Sequence, residues 1–164
     1  MPEVIEAESP FVRVAGTFFR AVDPRYRDSA LTGSRSPGRY SSADQPTLYL
    51  SSSAEGVEAA MIAHRSARTP DLEVLELRVR AERIVDLRDS RARAMAGIEL
   101  DDATAPWQDL VTRGEQSPSW TVRRRIEQLG AEGLIDPSRK APGLWHLVLF
   151  RWNAAGGASV RVLR

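Results

Sequence analysis

The first stretch able to do chemistry is Ser36-Pro37-Gly38-Arg39-Tyr40, followed nine residues on by Tyr49 at the start of an apolar run. Gly38 permits a tight backbone path, Arg39 offers a planar cation with several donors, and Tyr40 and Tyr49 offer ring faces. Together they could hold a phosphorylated ligand that contains a ring. The plainer reading of Arg39 is a solvated loop charge or a surface ion pair of little energetic weight. A second stretch, Gly133-Leu134-Ile135-Asp136-Pro137-Ser138-Arg139, brings a hydroxyl and a guanidinium to the end of a short apolar strand, although Asp136-Pro137-Ser138 also reads as a simple turn. No GxSxG elbow surrounds Ser138, and neither His64 nor His146 carries a sequence mark of a serine's base partner, which argues against a Ser-His-Asp hydrolase.

The remaining polar residues have ordinary explanations. His64 falls on the apolar-leaning face of a helix and His146 adjoins Trp145 at the start of a strand, so both read as packing or hydrogen-bonding residues. Trp107, Trp120, Trp145 and Trp152 read as core anchors, any one of which could line a pocket for a stacked base. Glu55 and Glu58, at the start of their helix, complement its dipole. Arg123-Arg124-Arg125 reads as the wet side of a helix, with a partner-binding patch as the sharper alternative.

Composition bounds what these residues can be part of. The chain has 164 residues, 42% hydrophobic and 27% charged, with a net charge of +1, which fits one soluble domain able to bury a core without staples. It has no cysteine, so thiol nucleophiles, disulfides and thiolate-held metal centres are excluded, and two histidines make a histidine-rich metal site improbable. Of 23 basic residues only Lys140 is lysine, leaving 22 arginines. Such a bias can simply reflect coding composition, but it leaves Arg as the residue for gripping phosphate or carboxylate. With 22 acids against 23 bases there is no strong global field, which disfavours nucleic-acid binding by phosphate neutralisation. No apolar run approaches membrane-spanning length and the acidic start MPEVIEAESP lacks a signal core, so the expected location is the cytoplasm, with no membrane partner.

The elements that must position these residues follow from periodicity. Residues 1–10 read as a flexible leader and 11–164 as the domain. Phe11 to Val22 reads as a strand; residues 23–46, rich in Pro, Gly, Ser and Arg, read as a long functional loop too polar to bury. Leu48 to Leu50 reads as a short strand, and Ser51-Ser52-Ser53 as the cap of a helix carrying Val57, Ala60, Met61 and His64 on one face. Leu72 to Arg80 alternates as a half-buried strand, and Ile84 to Leu87 reads as another. Helices are expected over Ser90 to Ala96, from Pro106 through Leu110, and from a Ser119 cap through Val122, Ile126 and Leu129, with Gly130 and Gly133 at its exit. His146 to Trp152 and Ser159 to Leu163 read as the last strands. About six strands and four helices in this mixed order make an α+β single domain.

Taken in order, Phe19-Arg20, Gly38-Arg39-Tyr40, Thr47-Leu48-Tyr49-Leu50-Ser51, a helix, and Gly133 to Arg139 followed by Leu147-Val148-Leu149-Phe150 resemble the RES domain family over roughly residues 11–152. The resemblance implies an ADP-ribosyltransferase-like fold, mixed strands with flanking helices, in the toxin half of a bacterial toxin–antitoxin pair. It also implies an NAD-consuming activity: phosphorylase- or glycohydrolase-like cleavage of the nicotinamide–ribose bond with phosphate or water as acceptor, or transfer of ADP-ribose to a protein. NAD would be substrate, with no metal. A protein antitoxin would be the partner, and self-association is left open. Carried over residue by residue, the catalytic set is Arg20, Arg39, Tyr49, Glu58 and Ser138, and the nucleotide-binding set Arg20, Arg39, Tyr40, Tyr49 and Ser138. Pro37 and Ser41 stand where the family has a glycine and often an asparagine.

The glutamate departs further. Counted without gaps from Tyr49-Leu50, its helix position falls on Ala60, and the nearest acid is Glu58. Two residues on a helix amount to about 200° of rotation, so Glu58 serves only with a shifted helix or register. One turn away, only His64 could carry a proton. The acid is therefore rearranged, replaced or missing, and a nucleotide-binding or regulatory module without catalysis is the alternative function.

Overall fold

The computed structural model describes residues 9–63, 71–137 and 144–163, with the side chains of 59–63 left out; His64 and Ser138 lie outside the described residues. The expected α+β class holds. Strands β1 (Phe11–Val22), β2 (Leu48–Ser51), β3 (Glu73–Asp86), β4 (Gly133–Pro137), β5 (Trp145–Leu149) and β6 (Ser159–Val162) form one sheet. Its order is β1-β2-β5-β4-β3-β6, and β1 pairs in addition with β3 along its length. The five strands β1-β2-β5-β4-β3 therefore close on themselves, and the link from β1 to β2 is the single pair Phe19↔Ser51. Helices α1 (Ala54–Ala63), α2 (Ser90–Ala96), α3 (Leu100–Thr104), α4 (Gln108–Thr112) and α5 (Pro118–Gln128) complete the domain.

The two strands expected from 72–80 and 84–87 are one long strand, β3. Alternation fails between them because the pairing shifts register between Val12 and Val14 of β1, opposite Ile84 and Ala81. The extra residue of this bulge moves Ile84 onto the inward side already occupied by Leu75, Leu77, Val79 and Ala81. The bulge leaves the Glu82 N–H without a ladder partner, and the buried Glu132 carboxylate accepts it at 3.0 Å.

Two apolar layers result. Val14, Phe18, Leu48, Leu50, Leu77, Leu147 and Leu149 pack inside the closed strands. On the other face Leu134, Val148 and Val85 meet Ala96, Ile98 and Ala103 of the α2–α3 region and Val122 and Ile126 of α5. The short α3 had no expected counterpart. Helix α5 is capped two residues earlier than expected: Ser117, not Ser119, is the N-cap, accepting from the Ser119 N–H at 3.3 Å, with Pro118 in the first turn.

The 23–46 segment is not simply a polar loop. A 3-10 turn covers Pro24–Ser29, and Ala30, Tyr40 and Ser41 are buried. Arg123 also departs from expectation: it is 3% exposed, on the inward face beside Val122 and Ile126. Its charge is met by the Glu127 carboxylate at 2.6 Å, by the Tyr40 carbonyl at 3.1 Å and by the Thr47 hydroxyl at 2.5 Å, with its guanidinium 4.6 Å from the Phe150 ring centre. Arg124 and Arg125 keep the expected exposed positions.

Candidate functional site

Tyr49 occupies the middle of β2, where the strand alternation sends it to the face opposite Leu48 and Leu50. Its hydroxyl is fixed from behind by the Gly38–Ser41 turn: the Tyr40 N–H donates to it at 3.1 Å and the Ser41 hydroxyl lies 2.7 Å away. Gly38 permits this approach, because a side chain there would place its first carbon 2.6 Å from the Tyr49 oxygen. Burial pushes the Tyr49 phenol above its ordinary range, an effect the two hydrogen bonds offset only in part. The ring is thus a neutral, oriented phenol at neutral pH.

The turn is itself held by α5, carbonyl by carbonyl. Trp120 Nε1 donates to the Gly38 carbonyl at 2.9 Å, the Ser119 hydroxyl donates to that of Arg39, and Arg123 donates to that of Tyr40. Arg39 adds a fourth anchor by donating to the Ala103 and Ala105 carbonyls at 3.1 and 2.7 Å, at the end of α3. The Tyr40 ring is buried, 1% exposed, and its hydroxyl donates to Asp136 Oδ1 at 2.5 Å. The side chains expected to grip a ligand, Arg39 and Tyr40, therefore tie the turn into the fold, and the buried Tyr40 ring offers no stacking face.

Arg20 comes from the far half of β1 and is half-buried. It donates to the Ala30 carbonyl, and desolvation lowers its pKa from the ordinary arginine value. Arg20 and Tyr49 share a cavity of about 280 Å³ at the β1–β2 junction, lined also by Phe19, Ser51, Val57 of α1 and His146 of β5. None of the described residues lining it is an acid. Glu58 is exposed on α1, and the wall contributed by that helix is Val57. Of the expected set, the structure brings Arg20 and Tyr49 together, with Arg39 and Tyr40 behind Tyr49.

A second cavity, of about 450 Å³, runs along the first half of β1 and reaches Asp86 and Arg88. Phe18, Ser52 and Trp145 line it, each one residue away from Phe19, Ser51 and His146. The larger one holds none of the expected site residues.

Sequence reasoning assigned His146 to packing and Arg123 to the surface, and it missed Asp136, Ser119 and Trp120 as parts of this assembly. Nothing in local periodicity marks them, because each acquires its role from a partner 80 to 96 residues away in the chain. The Ser51↔His146↔Asp136 alignment could be found only from strand register.

A family model described as "RES domain" matches residues 17–164. No curated protein matches. Among solved structures, the fold is similar to a chain in the crystal structure of the M. tuberculosis MbcT-MbcA toxin-antitoxin complex, with a TM-score of 0.60 and 20% identity, covering 93% of this chain and 86% of that one.

Proposed function

The chain belongs to the RES domain family, and from that premise we propose that it is an NAD-consuming enzyme that cleaves the nicotinamide–ribose bond. The observation that carries this reading is the shared cavity, lined by both a half-buried arginine, Arg20, and a hydrogen-bonded phenol, Tyr49. Arg20 would bind the diphosphate and Tyr49 would lie against the nicotinamide or its ribose. Ser138, which follows the end of β4 in sequence, would orient the ribose. Arg39 and Tyr40 act by holding the turn behind Tyr49.

Cleavage passes through a cation-like sugar as the bond electrons move to the nicotinamide nitrogen, and an oxygen of water or phosphate closes on the ribose carbon. A carboxylate beside that carbon would stabilise it by about 3 kcal/mol, by analogy with a lost oxyanion-hole donor. With an exposed Glu58 and Ala60 at the family's glutamate position, this chain would turn over slowly for its affinity. The same observation favours a second reading, a nucleotide-binding module without catalysis.

Purified protein incubated with NAD, with and without phosphate, is expected to release nicotinamide together with ADP-ribose or its 1″-phosphate. No loss of NAD at high protein concentration, combined with a rise in melting temperature on adding NAD or ADP-ribose, would select the second reading. Radiolabel from NAD on a macromolecule would instead identify protein ADP-ribosylation. The proposed biological setting is a toxin kept in check by a protein antitoxin that covers this cavity. Co-expression with the neighbouring reading frame should relieve growth arrest caused by the chain alone.

A further inference from the structure

We propose that His146 is the acid/base residue of this cavity, set between Ser51 and Asp136 and taking the proton from water as it attacks the ribose carbon. The proposal rests on the NAD-cleavage reading above. Strand β5 lies between β2 and β4, and the register places Ser51 opposite His146 on one side and Asp136 opposite it on the other. Residues directly opposite in an antiparallel ladder project to the same face, with Cβ atoms roughly 4.5–5.5 Å apart. Ser51, His146 and Asp136 thus form a row across three strands.

The ends of the row are buried and its middle is half-buried. Ser51 is 4% exposed and donates to the Ser53 carbonyl at 3.0 Å, while Asp136 is 7% exposed and accepts from the Tyr40 hydroxyl. His146 is half-buried and lines the cavity with Arg20 and Tyr49. Among the described residues, the charged and titratable groups near it are Arg20 from β1, Tyr49 from β2 and Asp136 from β4, with Val57 from α1 apolar. A carboxylate beside an imidazole fixes which ring nitrogen is presented outward. Imidazole is the side chain whose ordinary titration falls between about pH 5 and 8, which suits it to accept and return a proton at neutral pH.

The step balances as follows. The neutral imidazole takes a proton from water while the water oxygen bonds to the ribose carbon; the breaking bond's electron pair goes to the nicotinamide nitrogen, discharging its ring. The imidazolium then gives its proton to solvent. With phosphate dianion as nucleophile no proton has to leave, so hydrolysis depends on His146 far more than phosphorolysis does.

The wild-type hydrolysis rate is therefore expected to rise with pH through an imidazole limb and then level. His146→Gln should lose that limb and fall at least about 100-fold. In excess phosphate at pH 8 the same variant should fall less than about 10-fold, and its affinity for ADP-ribose by calorimetry should stay within about three-fold. A wild-type pH profile in His146→Gln overturns the proposal. A second measurement does not need turnover. The chain has two histidines, so in His64→Gln protein the one remaining imidazole NMR signal belongs to His146, and saturating ADP-ribose is expected to move it. An unmoved signal also overturns the proposal. If the signal moves but wild-type protein cleaves no NAD, the cleavage reading and the base role fall together, and His146 is left as a ligand contact.

Discussion

The two walls of the Arg20–Tyr49 cavity are built to different standards. On the β2 side, the Gly38–Tyr40 turn has three successive carbonyls held by Trp120, Ser119 and Arg123 of α5, and Arg39 pins it to α3. On the α1 side, the helix start is capped by Ser53, which accepts from the Gly56 N–H at 3.0 Å, and the cavity receives Val57 while Glu58 faces solvent. Hydrogen bonds that cross-link backbone to buried side chains fix a geometry in a way that one apolar contact does not. The difference is that the side proposed for recognition is cross-linked into the fold, whereas among the described residues α1 brings no charge into the cavity.

The contrast predicts where substitutions hurt. Arg20→Ala removes the charge on the recognition side and should lower kcat/KM for NAD cleavage by about 100-fold, the equivalent of roughly 3 kcal/mol for a lost charge-assisted contact. Steady-state assay of nicotinamide release measures it. A fall of less than five-fold would mean that the ligand is held elsewhere and that the two walls do not differ in function.

Arg123→Met tests the buttress instead of the contact. It removes the guanidinium donor from the Tyr40 carbonyl and from the Thr47 hydroxyl, which keeps its bond to the Gln45 carbonyl, both at buried positions, and should cost about 2 kcal/mol of folding stability in denaturant titrations. The exposed neighbour provides the control: Arg124→Met should stay within about 0.5 kcal/mol. Equal effects at the two positions would remove the distinction between a clamped wall and an ordinary surface helix.

That pair also marks the boundary of what sequence makes legible. Phe11–Val22, Leu48–Ser51 and Ser90–Ala96 could be placed from alternation, turn residues and caps because those signals are local. The single β3 could not, since a bulge near Glu82 shifts the period, and α3 is too short to show one. In the site, Arg20 and Tyr49 were named only through the family resemblance of the ordered motifs, and both line one cavity. The inward turn of Arg123 was not legible, because a run of three arginines has no local mark telling which of them the core will accept. Tyr40 looked like a ligand contact for the related reason that a loop tyrosine beside Gly and Arg carries no sign of the Asp136 carboxylate waiting 96 residues on.

Restoring an acid to the weaker wall should narrow the contrast. Ala60→Glu puts a carboxylate at the family's helix position and is expected to raise kcat by about 10-fold with little change in KM, the signature of an interaction gained only in the transition state. Glu58→Gln should change kcat by less than about two-fold, since its carboxylate is exposed. The opposite pattern, a large loss at Glu58 and no gain at Ala60, would show that α1 rotates in the bound state and brings its own acid to the ribose.

The smallest effect is electrostatic and belongs to the rigid wall. Tyr49 has its pKa raised by burial, so the folded chain holds that proton more tightly than the unfolded chain does. Below about pH 10, the unfolded tyrosine value, both states are protonated and the full stabilisation is present. As pH climbs above it the unfolded state ionises first, binds fewer protons than the folded state, and stability falls. Tyr49→Phe cannot ionise and should show a shallower decline over the same alkaline window, even though it starts lower at neutral pH because the Tyr40 N–H and Ser41 hydroxyl lose their partner. Denaturant midpoints measured from pH 8 to 11 give the two slopes. Parallel slopes would mean that the Tyr49 ring titrates as if in water, and that the clamped turn does not hold it in the desolvated position from which it is proposed to meet the nicotinamide ring.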